Sequence, residues 1–84
     1  MKLQQLKYLC TIVDQDFSIT KAAARLHTSQ PGVSKQLRML EDELETRLLV
    51  RRRNRVIALT DSAEAILPTA RRILKEAETL KSPG

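Results

Sequence analysis

The chain has few of the residues that form disulfides, metal sites or membrane spans. A single cysteine, Cys10, excludes an intramolecular disulfide and a cysteine-based zinc cluster, and it is compatible with a reducing compartment. The only histidine, His27, has no second ligand at a spacing typical of a metal site. No apolar run approaches the roughly 18 residues needed to cross a bilayer, and the first residues lack the apolar centre of a signal peptide. We therefore expect a cytoplasmic protein with no membrane segment.

Patterns typical of an active site are also missing. No nucleophile is paired with a base, and no glycine-rich phosphate loop is present. Glu41, Asp42 and Glu43 are consecutive, and because they occupy successive helix positions we expect them to be solvated or paired with neighbouring cations. A chain of 84 residues forms one small domain with little room for an elaborate active site. We expect no catalysis, no metal and no cofactor in this fragment.

Positive charge is concentrated in one short segment. The formal net charge is +5 at neutral pH. Residues 48–60 contain four basic and no acidic side chains, whereas residues 31–47 contain three basic and four acidic ones. This distribution predicts a polyanionic partner that contacts the basic segment.

Apolar periodicity and capping residues predict three helices in the first half of the chain. The first covers about residues 3–14, and the second begins after a cap at Ser18. The third is capped by Thr28 or Ser29 and tolerates Pro31 in its first turn, where N–H groups have no intrahelical acceptor. The second and third helices are separated by only a few residues, which is typical of a helix-turn-helix unit, here at about residues 18–37.

The third helix has two different faces. Its apolar side predicts the core contacts Val33, Leu37, Leu40 and Leu44. Its opposite side is basic or neutral near the N-terminus, with Pro31, Ser34, Lys35 and Arg38, and continues into Glu41, Asp42 and Glu45. Only the N-terminal end of such a helix is suited to enter a groove lined with phosphates.

Two short β-favouring runs follow, at residues 48–50 and 56–59, and they flank four arginines and an asparagine. We expect a hairpin over about residues 48–59 with residues 51–55 at its tip. Since the segment has no glycine, Asn54 is the best candidate for a positive φ.

The last segment predicts a long helix over residues 60–84. Thr60 or Asp61 can cap it, with Glu64 completing a capping box from Asp61, and Pro68 predicts a bend. An apolar heptad seam runs along it, and we expect this seam to form a homodimer because it is too long to be buried against so small a domain. The seam consists of Ala63, Ile66, Leu67, Ala70, Ile73, Leu74, Ala77 and Leu80. The final residues, 81–84, end a helix with nothing after it, so we expect the natural chain to continue.

The residues at 18–26 (SITKAAARL) and 29–37 (SQPGVSKQL), followed by Leu40 and Glu41, resemble the LysR-type transcriptional regulators of bacteria. The resemblance covers the whole chain. It implies a mainly α fold, with a winged helix-turn-helix at residues 1–59 whose wing is the hairpin, and a linker helix that pairs antiparallel with its copy. It also implies a C-terminal domain, absent from this chain, that binds a small-molecule effector. The openings of the chain and of the third helix, residues 1–6 and 28–32, are most similar to the branch that regulates cysteine and sulfur assimilation.

The sequence departs from the family pattern at three positions. Glu45 occupies the place where a glycine usually ends the third helix, Leu49 replaces a usual phenylalanine, and Ala63 replaces a usual glycine. These departures concern local turn geometry.

The resulting functional hypothesis is sequence-specific binding of double-stranded DNA by a dimer, or by a tetramer in the complete protein, at an interrupted palindrome. Gln30 can bond adenine, Pro31 can contact a thymine methyl group, and Ser34 can reach a base edge or a phosphate. Lys35 or Arg38 can bind guanine or a backbone oxygen. Arg53 is the candidate for a narrow minor groove. The remaining candidates for phosphate contacts are Ser18, Thr20, Lys21, Ser29, Arg51, Arg52 and Arg55. A competing hypothesis is a basic coiled-coil module that docks on an acidic protein.

Overall fold

The computed structural model describes residues 1–81, which form four helices and one two-stranded antiparallel sheet. The elements in chain order are α1 (Leu3–Asp14), α2 (Ile19–Arg25), α3 (Gln30–Leu44), β1 (Leu49–Arg52), β2 (Arg55–Leu59) and α4 (Asp61–Lys81). The predicted mainly α architecture with a hairpin between the third and fourth helices is confirmed. The predicted end of the last helix at residues 82–84 lies outside the described residues.

Serine caps determine where α2 and α3 begin. The Ser18 hydroxyl oxygen accepts a hydrogen bond from the Lys21 N–H at 3.1 Å, and the Ser29 hydroxyl oxygen accepts one from the Gly32 N–H at 3.1 Å. Each bond satisfies one of the N–H groups that a helix start leaves without a partner. Of the two alternatives for α3, Ser29 is therefore the cap. Only residues 26–29 separate the two helices.

The core lies where α1, α2 and α3 meet. Val33, Leu37 and Leu40 have no exposed surface, as predicted for the apolar side of α3, while Leu44 is half-buried. Ala22 and Ala23 of α2 are also buried, and their small side chains let the helices approach closely. This packing holds the N-terminal ends of α2 and α3 in a fixed relation.

Helix α4 begins at Asp61 and packs back on α1. Thr60 caps it, since its hydroxyl oxygen accepts from the Ala63 N–H at 3.1 Å. The predicted capping box from Asp61 to Glu64 is wrong because Asp61 is already the first helical residue. The helix continues through Pro68 to Lys81. No helix within residues 1–81 combines the length and apolar character that a bilayer span requires.

A two-point ion pair joins α4 to the end of α1. The Arg71 guanidinium donates to both Asp14 carboxylate oxygens, at 2.8 and 3.4 Å. The hydrogen bond to Asp14 raises the pKa of Arg71 above its ordinary value. The pair is well exposed, so it orients α4 more than it stabilises the fold.

Candidate nucleic-acid interface

The N-terminal end of α3 projects a small polar surface from the helical layer. Gln30, Pro31, Lys35 and Arg38 are exposed, and Ser34 is half-buried. No acidic residue lies in the first turn, so the positive end of the helix dipole stays uncompensated there. The predicted base-contact residues therefore share an accessible surface that favours an anionic or hydrogen-bonding partner.

The backbone at Gly32 lies close to two hydroxyl groups at the N-terminal end of α3. A Cβ atom at Gly32 would lie 2.8 Å from the Thr28 hydroxyl oxygen and 3.1 Å from that of Ser29. A Cβ atom here would therefore displace the Thr28 hydroxyl and crowd the Ser29 hydroxyl, which caps the helix.

A groove connects this helix end to the hairpin. Its walls come from the start of α2, the start of α3, the turn before α2 and the end of the hairpin. The lining residues are Asp16, Phe17, Ser18, Ile19, Thr20, Gln30, Asn54, Arg55 and Val56. Four predicted contact residues, from three separate parts of the sequence, line this one groove: Ser18, Thr20, Gln30 and Arg55.

The hairpin ends in a two-residue turn. Arg53 and Asn54 both have positive φ, 50° and 65°, as a tight turn matched to the strand twist requires. The prediction for Asn54 is confirmed, but the second left-handed residue, Arg53, was missed. The strands also extend to Arg52 and Arg55, so the predicted tip over residues 51–55 is too long.

Two arginines face each other next to this turn. Arg52 pairs with Arg55 across the strands, and both side chains are exposed. Like charges directly opposite one another destabilise a hairpin. A polyanion bound at this end would remove that repulsion.

Arg51 does not share this environment. Strand alternation in β1 places Arg51 on the same face of the hairpin as the buried Leu49. Its partner across the strands is the buried Val56. Its Nη1 atom lies 3.8 Å from a carboxylate oxygen of Glu41, and its side chain is only 26% exposed. The phosphate contact of Arg51 stays a prediction, and its pairing with Glu41 makes it a weaker candidate than the exposed Arg52, Arg53 and Arg55. The sequence carried no clear signal for this, because Leu48, Leu49 and Val50 are all apolar and leave the phase of the alternation in β1 undefined.

Glu41 is the residue that sequence reasoning placed wrongly. It is 5% exposed, and its Oε2 atom accepts hydrogen bonds from the backbone N–H groups of Leu48 and Leu49, at 2.8 and 3.3 Å. The expectation of a solvated outer face is wrong at this position, although pairing with a cation is present through Arg51. Glu41 follows the core residue Leu37 by four positions, a spacing that places it on the same side of the helix.

Other predicted phosphate contacts occupy the edges of the interface. Thr20 and Lys21 are exposed on α2, and Ser29 is exposed at the start of α3. Ser18 and Ser29 both act as helix caps through their hydroxyl oxygens. His27 lies in the turn between the helices with a φ of 56°. Within residues 1–81, no three side chains of the histidine, cysteine, aspartate or glutamate type gather as a metal site would require.

The predicted dimerisation seam divides into two parts. Ala63 and Ala70 are 0% and 1% exposed inside the single chain, because they pack in its own core. Their assignment to a dimer contact is therefore corrected, since they have no surface left to bury. The other seam residues remain partly or largely exposed: Ile66, Leu67, Ile73, Leu74, Ala77 and Leu80.

A family model described as the bacterial regulatory helix-turn-helix protein, lysR family, matches residues 3–64. The chain belongs to the LysR family. Among curated LysR relatives, it is 45% identical over 84 residues to the transcriptional regulator CysB of Burkholderia cenocepacia, covering 100% of this chain and 27% of that protein. It is 43% identical over 81 residues to the regulator cbl of Escherichia coli K12, covering 96% and 26%. The chain thus spans about a quarter of the length of these relatives.

Solved structures of LysR proteins agree in fold. A crystal structure of a complex of the CbnR DBD with DNA has a TM-score of 0.88 and 36% identity, and the match covers 99% of this chain and 93% of that one. A crystal structure of the BenM DBD with catB site 1 DNA has a TM-score of 0.86 and 33% identity, covering 98% and 86%. Both similar chains were crystallised with DNA.

Proposed function

We propose that this chain is the DNA-binding part of a bacterial LysR-type transcriptional regulator and that it recognises a specific sequence in double-stranded DNA. The observation that carries the proposal is the groove that joins Ser18, Gln30 and Arg55 beside the facing pair Arg52 and Arg55. Double-stranded DNA carries charged phosphates and hydrogen-bonding base edges, so it can contact both the groove and the arginine pair. The family match and the DNA complexes of similar chains favour DNA over an acidic protein partner.

In this proposal the N-terminal end of α3 enters the major groove. Gln30 offers an amide suited to bidentate bonding with adenine, and Pro31 offers an apolar surface for a thymine methyl group. Ser34, Lys35 and Arg38 lie one to two turns further along the helix and reach base edges or adjacent phosphates. The hairpin contributes Arg52, Arg53 and Arg55 to the backbone or to a neighbouring minor groove.

The remaining apolar side of α4 supports a homodimer. After Ala63 and Ala70 are assigned to the core of one chain, a stripe of half-buried aliphatic residues is left, and it ends at Leu80, which is 83% exposed. Pairing of this stripe with its copy would bury it and hold two DNA-binding heads apart. Such a dimer reads an interrupted palindrome, with half-sites separated by the length of the paired helices.

For the complete protein, we propose control of sulfur or cysteine metabolism genes in the cytoplasm, without catalytic activity. The support is the identity of 40–45% with the regulators CysB and cbl over nearly the whole chain. A C-terminal domain that binds a small-molecule effector, and assembly into a dimer or tetramer, belong to the same proposal.

Fluorescence anisotropy with a labelled duplex tests the proposed function. The chain is titrated against a duplex selected from random DNA and against a scrambled duplex of the same composition. We expect binding to the selected duplex to be tighter by about 10³-fold or more at physiological salt. Equal affinity for the two duplexes would contradict sequence recognition, and no binding to either would contradict DNA binding altogether.

A further inference from the structure

A buried carboxylate connects the recognition helix to the hairpin. Glu41 lies on α3, the helix that carries Gln30 at its other end, and it is 5% exposed. Its Oε2 atom accepts from the N–H groups of Leu48 and Leu49 at 2.8 and 3.3 Å. These two residues are the last before β1 and the first within it. One side chain of α3 therefore holds the start of the hairpin by two hydrogen bonds.

The second oxygen of the same carboxylate faces the hairpin further along. Oε1 lies 3.8 Å from Arg51 Nη1, and Arg51 Nη2 is buried without a hydrogen-bond partner among the described residues. Arg51 is the residue immediately before the exposed Arg52. Glu41 thus interacts with both the beginning and the middle of the strand that leads to the arginine turn.

The hairpin packs on the helices through apolar residues of the common core, among them Leu48, Leu49, Val56 and Leu59. Such apolar packing is not directional, and α3 and β1 have little direct backbone contact. Residues 45–48 link α3 to β1, and Glu45 takes a left-handed conformation, with φ of 53°, at the end of the helix. The carboxylate of Glu41 is consequently the principal polar connection between the two parts.

A buried charge is a poor way to gain stability, because removing a carboxylate from water is expensive and an apolar residue of similar size often serves the fold as well. Its hydrogen bonds, by contrast, are directional and constrain geometry. The arrangement around Glu41 therefore suits a residue that sets the position of a neighbouring element.

We propose that Glu41 is a positioning residue for DNA recognition. It holds the arginine turn of the hairpin at the distance and angle from the N-terminal end of α3 at which both contact the same half-site. Glu41 itself does not touch DNA, and its effect is exerted through Leu48, Leu49 and Arg51. This inference rests on the proposed DNA-binding function.

A double-mutant cycle with Arg53 tests the inference. Glu41→Gln keeps the size of the side chain and one acceptor for the Leu48 N–H, but it removes the charge and turns an amide N–H₂ group toward Arg51. If Glu41 positions the hairpin, Arg53 is partly displaced from DNA in this variant. Arg53→Ala should then weaken binding at least about threefold less in the Glu41→Gln background than in the wild type.

Asp42→Asn is the matched control. Asp42 is exposed, lies next to Glu41 on the same helix, and its substitution changes the net charge by the same amount. In the Asp42→Asn background, Arg53→Ala should have its full wild-type effect. A loss of coupling there as well would point to general electrostatics and would overturn the positioning role.

Further measurements separate a positioning role from a folding role. Thermal unfolding followed by circular dichroism reports whether Glu41→Gln folds. If it folds, amide hydrogen exchange at Leu48 and Leu49 should be faster than in the wild type. If Glu41→Gln does not fold, Glu41→Asp replaces it, since the shorter side chain keeps the charge but withdraws the carboxylate from the Leu48 and Leu49 N–H groups and from Arg51. It should reduce the effect of Arg53→Ala in the same way.

An effect of Arg53→Ala that is equal in the wild type and in the folded variant used would overturn the inference. Failure of the wild-type chain itself to bind DNA would instead contradict the proposed function. The wild-type titration therefore distinguishes the two failures.

Discussion

Replacing Arg53 by alanine should change the salt dependence of DNA binding by a predictable amount. Arg53 is exposed in the two-residue turn and takes part in no ion pair within the described chain. Each phosphate contact in B-DNA contributes about 0.9 to the slope of log K against log salt. Loss of one contact in each protomer of a dimer should make the slope shallower by about 1.8. Between about 50 and 200 mM salt, the affinity of the variant should then fall about twelvefold less than that of the wild type.

The assay is fluorescence anisotropy of a labelled palindromic duplex over a series of salt concentrations. Arg72→Ala is a matched control, because Arg72 is exposed on α4 and its loss changes the net charge equally. Arg51→Ala is an informative contrast, since Arg51 faces Glu41 and should affect the slope less than Arg53→Ala does. Arg72→Ala should leave the slope at its wild-type value. An unchanged slope in Arg53→Ala, or an equal decrease in Arg72→Ala, would show that Arg53 makes no specific phosphate contact.

Three further predictions concern base reading, the end of α3 and the buried thiol. Gln30→Ala should lose about 1–3 kcal/mol on the specific site and relax the preference at one base pair, so an equal loss on random DNA would exclude base reading. Glu45→Gly should raise the free energy of unfolding by about 1 kcal/mol, because Glu45 is strained at a φ of 53° that glycine adopts freely; unchanged or lower stability in urea unfolding would refute this. Burial raises the pKa of Cys10 above 9.0, so the thiol favours the folded state below about pH 9, and this contribution is lost as pH rises through the folded-state pKa. The melting temperature should therefore fall more steeply between about pH 8 and pH 10 in the wild type than in Cys10→Ala, and parallel pH profiles would contradict the effect.

The helical part of the fold was predictable because its signals are local. Apolar spacing gave α1 its observed bounds, and the serines at 18 and 29 marked the starts of α2 and α3 through bonds to nearby N–H groups. The positive φ of Asn54 followed from the lack of glycine in the hairpin. Each of these features depends on residues within one or two turns of one another.

The errors came from features that depend on distant parts of the chain. For Glu41 the expectation of a solvated or ion-paired carboxylate is right only in its pairing with a cation, because its buried hydrogen-bond partner Leu49 begins a strand eight positions later. Arg51 was grouped with its neighbours, although the pairing of β1 with β2 turns it inward. Ala63 and Ala70 fit a heptad seam equally well whether the seam meets another chain or α1 of the same chain. Periodicity identifies an apolar side but not the surface that covers it.

The sequence predicts which segments form the candidate DNA-binding surface better than it predicts the direction of each side chain on it. Gln30 and Arg55 lie 25 positions apart in the sequence, and the fold brings both to one groove. Motif resemblance linked them before any geometry was known. Within the hairpin, Arg52, Arg53 and Arg55 are exposed, whereas Arg51 is half-buried. This difference could be assigned only from the strand register.

Selection of bound sequences from random double-stranded DNA by this chain tests whether a dimer recognises DNA with the N-terminal end of α3. We expect a consensus with two-fold symmetry, composed of two half-sites at a fixed separation, with an adenine position that loses its preference when Gln30 is replaced by alanine. A consensus without two-fold symmetry, or no enrichment over the starting pool, would contradict a dimer that reads DNA with the N-terminal end of α3.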